Sequence, residues 1–465
     1  MFGVPSTTSR CRAKIGEKTN SSREFPLFIG FRHSPFDFCL LPFYLSDVAL
    51  VTALPQADEA ITPGQRRTLI AAGLGWMLDA FDVMLYSVVL ASVARDLGMT
   101  KATAGMLNTL TLIASGIGGL GFGFVADRIG RTRALMLAIL TYSICSFASG
   151  LSTSVLMLAV FRFILGLGMG GEWNTGATLV AETWPARLRA RALAIVQSSW
   201  AIGYALAVVV GWVCTQLLHW DWRRVFFVGV IPALVTFWIL RKVPESELWR
   251  NQQRQRAVAQ QTISFSDLLF GAYARHTFAL LLMILFGMFG WWGLFTWLPT
   301  FLTAPVAQGG RAFDPSTMTW MLVIVNLVGM FPGYISYAWF ADRLGRRGAV
   351  MLFTFLAAVF VPLVALAHNV AALTLLGIPV AFFGTGFFSG SGLIGSEIFP
   401  TTVRARALGL TYNGARMLSA AAPFTIGRVA DRYGLNWAFL LCAVSFLLAS
   451  ASAALLPETK GKSLV

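Results

Sequence analysis

Charge is what this sequence has least of. Only 12% of its 465 residues are Asp, Glu, Lys or Arg, roughly half the share usual in a soluble globular domain. Set beside 56% apolar residues, that scarcity excludes a disordered chain and almost any cytosolic enzyme. Histidine is also scarce. His33, His219, His276 and His368 lie outside the centres of the apolar stretches and do not cluster with cysteines, so neither a metal site nor a cofactor is expected. The five cysteines (Cys11, Cys39, Cys145, Cys214 and Cys442) show no CxxC spacing and mostly sit in apolar runs. They read as buried free thiols, not as ligands or a disulfide framework. No phosphate-cradling Walker loop occurs either, which points away from ATP as an energy source.

What is present is apolar length. A bilayer-spanning helix needs about 20 mainly apolar residues, so twelve need roughly 240. Twelve apolar stretches lie near 68–93, 104–126, 134–151, 154–180, 192–216, 224–240, 277–303, 317–340, 349–367, 371–395, 407–427 and 436–456. A polar linker, 242–275, separates a half at 61–241 from a half at 276–465. Residues 1–60 differ in composition, and their apolar patch at 38–44 is too short to span. This N-terminal extension reads as disordered or as an upstream start codon chosen wrongly, because no Met occurs between Met1 and Met77.

The net charge of +15 does not point to nucleic acid, since the basic residues sit in short loops between apolar stretches. Alternate loops carry seventeen Lys and Arg against seven. The positive-inside rule then places both termini and the linker in the cytoplasm, in a plasma (inner) membrane protein.

The two halves repeat. Asp127-Arg128-x-Gly130-Arg131 recurs as Asp342-Arg343-x-Gly345-Arg346, and Glu182-x-x-Pro185-x-x-x-Arg189-x-Arg191 recurs as Glu397-x-x-Pro400-x-x-x-Arg404-x-Arg406, both at an offset of 215. The expected architecture is an all-α membrane protein of twelve transmembrane helices in two parallel six-helix repeats. Parallel halves around a site at the bilayer midplane are a transporter layout.

Gly123-x-x-x-Asp127-Arg128-x-Gly130-Arg131-x-Arg133 resembles the signature loop of the major facilitator superfamily; in its second copy Ala338 replaces the first glycine. The resemblance covers roughly 66–460. Pro244-Glu245-Ser246-x-x-Trp249 and Pro457-Glu458-Thr459-Lys460-Gly461 resemble marks of sugar porters. The paired glutamines of those porters are missing from 286–293, however, and the glycine-proline pattern of drug antiporters is missing from 200–213. Asp79-Ala80-Phe81-Asp82, Arg162-x-x-x-Gly166-x-Gly168-x-Gly170-Gly171-Glu172-Trp173, and Asn413-Gly414-x-Arg416 followed by Pro423 are instead similar to the organic-acid/proton symporters. That group includes carriers of aromatic acids, sialate and lactate. The resemblance implies a major facilitator fold and proton-coupled uptake of a small carboxylate by alternating access, in a monomer and not an enzyme. The alternative is a sugar/proton symporter of the same superfamily.

The intramembrane charges supply the candidate site. A carboxylate at a helix centre costs on the order of 2.5–3.5 kcal/mol, so such residues face the interior or water. Asp79 and Asp82, three apart on one helix face, are the candidate proton carriers; the alternative is bonding to neighbouring helices. Arg416 cannot shed its charge and matches a substrate carboxylate, unless it pairs permanently with Asp79, Asp82 or Glu172. Arg162 is a further substrate contact or an ion-pair member inside the first half. Trp291, Trp292, Tyr412, Asn413 and Gln197 are candidates to line the cavity, with Tyr334, Tyr337 and Asn326 beside them. In the loops, Asp127, Arg128 and Arg131 with Asp342, Arg343 and Arg346 are expected to clasp and release a gate. Glu182 with Arg189 and Glu397 with Arg404 would form a second clasp.

Overall fold

A computed structural model describes residues 61–247, 249–250, 268–399 and 401–460; at 186, 187, 190, 240 and 401–405 the backbone alone is described. The expectations for residues 1–60, for most of the linker and for the side chain of Arg404 fall outside it.

The described chain is helical, without strands. Its first half comprises α1 (Pro63–Asp96), α2 (Lys101–Ile129), α3 (Arg131–Ser149), α4 (Val155–Thr183) and α5 (Ala186–Trp212, continued by the π-turn Val213–Leu217). It closes with α6, formed by Trp222–Phe227 and Ile231–Lys242 around a 3₁₀ turn. The second half comprises α7 (Ala274–Thr303), α8 (Pro315–Ile324 and Phe331–Leu344 around the π-turn Val325–Met330), α9 (Arg346–Leu366) and α10 (Val370–Ile398). Then come α11 (Thr401–Ser419 and Ala421–Tyr433) and α12 (Leu435–Ala453). Eleven of these have the length and apolarity to cross a membrane. The twelfth expected stretch, 407–427, is α11, which carries Arg416 and Arg428 and is interrupted at Ala420. Pro423 has no N–H to donate to the Ser419 carbonyl one turn back, and the neighbouring Ala420 carbonyl accepts from Thr109 Oγ1 of the opposite half.

Helix starts follow local chemistry. Thr62 and Gln65 form a capping box ahead of Pro63, and Thr100, Ser154, Asp221, Asp314 and Asn369 cap α2, α4, α6, α8 and α10, leaving fewer orphan amides. The α3 and α9 helices lack this. Each begins after a glycine at positive φ, Gly130 at 104° and Gly345 at 85°, with no cap of its own. Their orphan amides are met from far along the chain. Glu245 accepts from Arg131 N at 2.9 Å and Thr132 N at 3.2 Å, and Glu458 from Arg346 N at 2.8 Å and Arg347 N at 3.2 Å. The Pro-Glu-Ser and Pro-Glu-Thr marks are therefore remote helix caps.

Packing repeats between the halves: α1 on α5 and α7 on α11, α2 on α4 and α8 on α10. The approach of α2 to α4 needs small residues, as membrane helices do. A Cβ on Gly170 would collide with the Ser115 carbonyl. The halves meet where α2 packs on α11, α5 on α8, and α1 on α7.

Candidate functional site

Where the halves meet at mid-depth, aromatic rings form a continuous series. It starts on α11 with Tyr412, crosses to Trp173 of α4 at 6.3 Å between centroids, and continues to Trp76 of α1 at 4.4 Å. From there it reaches Trp200 of α5 at 4.7 Å and returns to the second half at Trp291 and Trp292 of α7, at 5.8 and 5.9 Å. With Gln197, Met288, Tyr334 and Phe388, most of these rings wall a cavity of about 20 Å³ that Arg416 also lines. That volume holds little more than a water molecule, so the side chains of the box nearly fill it in this state.

Of the residues expected at the site, Arg416, Tyr412, Trp291, Trp292 and Gln197 line the box together. Asn413 does not; its amide donates to the Gly409 carbonyl at 3.0 Å and lies against Gly119 of α2. Arg162 sits inside the first half, its guanidinium 4.5 Å from the centre of the Tyr86 ring. Trp76, Trp200 and Met288 were missed. Tryptophan and methionine are common in apolar helices, and their position around the box is the only signal that distinguishes them.

The charges are buried and poorly matched. Asp79, Asp82 and Arg162 are fully buried, and Glu172 and Arg416 nearly so. Among the described residues, neither oxygen of Asp79 nor any guanidinium nitrogen of Arg162 has a hydrogen-bond partner, and Arg416 Nη1 has none. Unpaired buried charges are costly and mark function more than stability. Asp79 lies in the field of Arg416 and then of Arg162, and Glu172 in that of Asp79 and Arg416. Asp82 is oriented otherwise: its Oδ1 accepts from Ser146 Oγ at 3.1 Å, beside Gly229 of α6. Glu172 is pressed against Gly75 of α1, facing the half interface from the first half.

The loop charges make clasps within each half. Arg131 bridges Asp127 at 2.8 Å and Glu182 at 3.1 Å; Arg346 bridges Asp342 at 2.8 Å and Glu397 at 3.2 Å. Glu182 thus joins Arg131 in place of Arg189, whose Nε has no partner. Arg128 is exposed, and Arg343 stacks 3.8 Å above Trp339. At Glu458, burial pushes the carboxyl up, but the backbone amides of Lys460, Arg346, Thr459 and Arg347 outweigh it and hold the group below its ordinary range.

On the side away from residues 61 and 460, the halves are hydrogen-bonded to one another. Asp431 accepts from Lys101 N and Ala102 N at 3.2 and 2.9 Å. Asn108 donates to Thr296 at 3.0 Å, Tyr204 to the Phe295 carbonyl at 3.0 Å, and Trp212 to Ser316 at 2.9 Å. A vestibule of about 630 Å³ lies on this distal side, lined by Arg95, Lys101, Gln216, Gln308 and Asp431 among others.

Known proteins resemble this chain over most of its length. The profile of the Major Facilitator Superfamily matches residues 72–307 and 302–464. A probable 4-methylmuconolactone transporter of Cupriavidus pinatubonensis is 35% identical over 87% of this chain and 93% of its own length. A niacin transporter of Acinetobacter baylyi is 30% identical over 85% of this chain and 94% of its own. A crystal structure of a D-xylose-proton symporter superposes with a TM-score of 0.68 at 22% identity, covering 86% of this chain and 99% of that one. The two clasped repeats, the helical fold of the described residues and these likenesses agree: the chain is a transporter, not an enzyme, and it belongs to the major facilitator superfamily.

Proposed function

We propose that the protein imports a small organic carboxylate together with protons, by alternating access of the central box to the two sides of the membrane. One observation carries this reading. Arg416 is buried in an aromatic box at the junction of the halves, with Nη1 unmatched and two carboxylates of the opposite half, Asp79 and Glu172, as its electrostatic neighbours. A substrate carboxylate arriving at Arg416 takes over the counter-charge those side chains use. Buried carboxylates that lose a counter-charge take up protons, so substrate and proton bind together. Release of the acid on the other side reverses the exchange. Asp82, held by Ser146, extends the acidic pair toward the interior of the first half. The relatives support the substrate class, since niacin and 4-methylmuconolactone are both small ring carboxylates. The loop charge bias supports both termini in the cytoplasm of a plasma (inner) membrane protein, working as a monomer.

A sugar would be a poorer occupant: the amide, hydroxyl and indole groups of the box could bond a neutral polyol, but such a ligand would leave the arginine without an anion. The test is uptake by proteoliposomes under an inward proton gradient, comparing nicotinate, lactate, 4-hydroxybenzoate, sialate and glucose with and without a protonophore. Uptake of an acid that the protonophore abolishes is expected. Uptake of glucose alone, or acid uptake indifferent to the protonophore, would overturn it.

A further inference from the structure

The box holds two hydrogen-bond donors that a carboxylate on Arg416 does not use. The indole N–H groups of Trp76 and Trp200 are buried, the residues being 3% and 2% exposed, and neither finds an acceptor among the described residues. Several other indoles of this chain are matched. Trp291 donates to Thr385 Oγ1 at 3.2 Å, Trp297 to the Pro423 carbonyl at 2.9 Å, and Trp212 to Ser316 Oγ at 2.9 Å. The two donors belong to neighbouring rings, whose centroids are 4.7 Å apart, and both rings line the same small cavity as Arg416. Buried tryptophans ordinarily place the indole N–H against an acceptor, and an unmade hydrogen bond in a buried site is a standing penalty.

We infer that the substrate supplies that acceptor. This rests on the carboxylate reading and narrows it. The transported class is a carboxylate whose body also carries a hydrogen-bond acceptor, such as a ring nitrogen, a carbonyl or lactone oxygen, or a second carboxylate. Trp76 and Trp200 are the specificity-determining residues that read it. The two recognition points belong to different halves, Arg416 to the second and the indoles of α1 and α5 to the first. A substrate with both groups bridges the halves, whereas an acid without the acceptor engages only one of them firmly. A site built to hydrogen-bond a substrate group rejects an isostere lacking it more strongly than a merely apolar pocket rejects an extra one.

The test uses isosteres that differ by one ring atom. Benzoate, picolinate, nicotinate and isonicotinate compete for carboxylate uptake by proteoliposomes of the full chain at neutral pH, where all four are carboxylates of nearly the same size. At least one pyridine isomer is expected to inhibit about fivefold more tightly than benzoate. Trp200→Phe and Trp76→Phe keep a ring and remove the donor; in either, that ratio should fall to about one. Benzoate equal to all three isomers in the native protein overturns the inference without any variant. So does a preference that survives both substitutions, and either variant suffices where the other does not reach the membrane. Failure of the carboxylate reading itself looks different: none of the four acids, benzoate included, would be bound or carried.

Discussion

Arg416 is the side chain whose two possible roles, substrate clamp and structural charge, make opposite demands on chemistry. Guanidinium stays charged at any depth, so whatever faces it must be anionic or polar, and truncating one member of a buried charge pair costs about 2–5 kcal/mol. If the anion is the substrate, Arg416→Ala should weaken equilibrium binding of nicotinate at least 30-fold while changing nicotinamide, which has the same ring and no charge, by less than threefold. Equal losses for acid and amide would make Arg416 a structural partner of Asp79 and Glu172. This cluster is half legible in the sequence. Asp79, Asp82, Arg162, Glu172 and Arg416 stand out because ionisable residues in apolar stretches are expensive. Where each one points was not legible. Three residues of spacing put Asp79 and Asp82 on one face, yet Asp82 turns to Ser146 while Asp79 meets the field of Arg416. Trp76 and Trp200 could not be picked out from fifteen tryptophans, because an unmatched indole N–H is a property of its surroundings.

Among the elements, α3 and α9 show how a sequence mark acquires a mechanical meaning. The offset of 215 placed the two loop motifs in equivalent positions. It gave no hint that Glu245 and Glu458 close helix starts more than a hundred residues earlier in the chain, a link made only by tertiary packing. The break in α11 was similarly hidden, because a proline near a helix end is equally compatible with a stop or a kink. The cap at α9 has a pH signature. Since the folded Glu458 carboxyl is held below its ordinary range, its contribution is fully present above the unfolded value of about 4.3 and is lost as pH falls through the lower folded value. The site is partly exposed, so the effect is about 0.5 kcal/mol after screening. Glu458→Gln should therefore melt slightly lower than the native protein at pH 7, and the two melting curves should converge toward pH 3. Parallel acid profiles for the two proteins would assign the cap no electrostatic part.

At the scale of the whole molecule, transport requires the two halves to part on one side while they close on the other. The structure has closed the distal side with contacts that belong to no single half. The α2 N-terminus is held by Asp431 of α11, Trp212 of α5 is bonded to Ser316 of α8, and Asn108 and Tyr204 reach Thr296 and Phe295 of α7. A tight backbone contact of this seal is Gly105, where an added Cβ would collide with the Pro423 carbonyl. Backbone at a broken helix can yield only by moving the element that carries it, so a larger residue there acts between the halves and not within one. Gly105→Leu should hold the distal side open. Substrate would still bind from that side, while uptake and counterflow would fall by tenfold or more. Asn108 reports the change independently: it is fully buried in this state, and Asn108→Cys in the Gly105→Leu background should react with a membrane-impermeant thiol reagent at least tenfold faster than Asn108→Cys alone. If Gly105→Leu carried substrate at the native rate, the α2–α11 contact would be permanent packing, and the moving seal would have to be sought at α5 and α8.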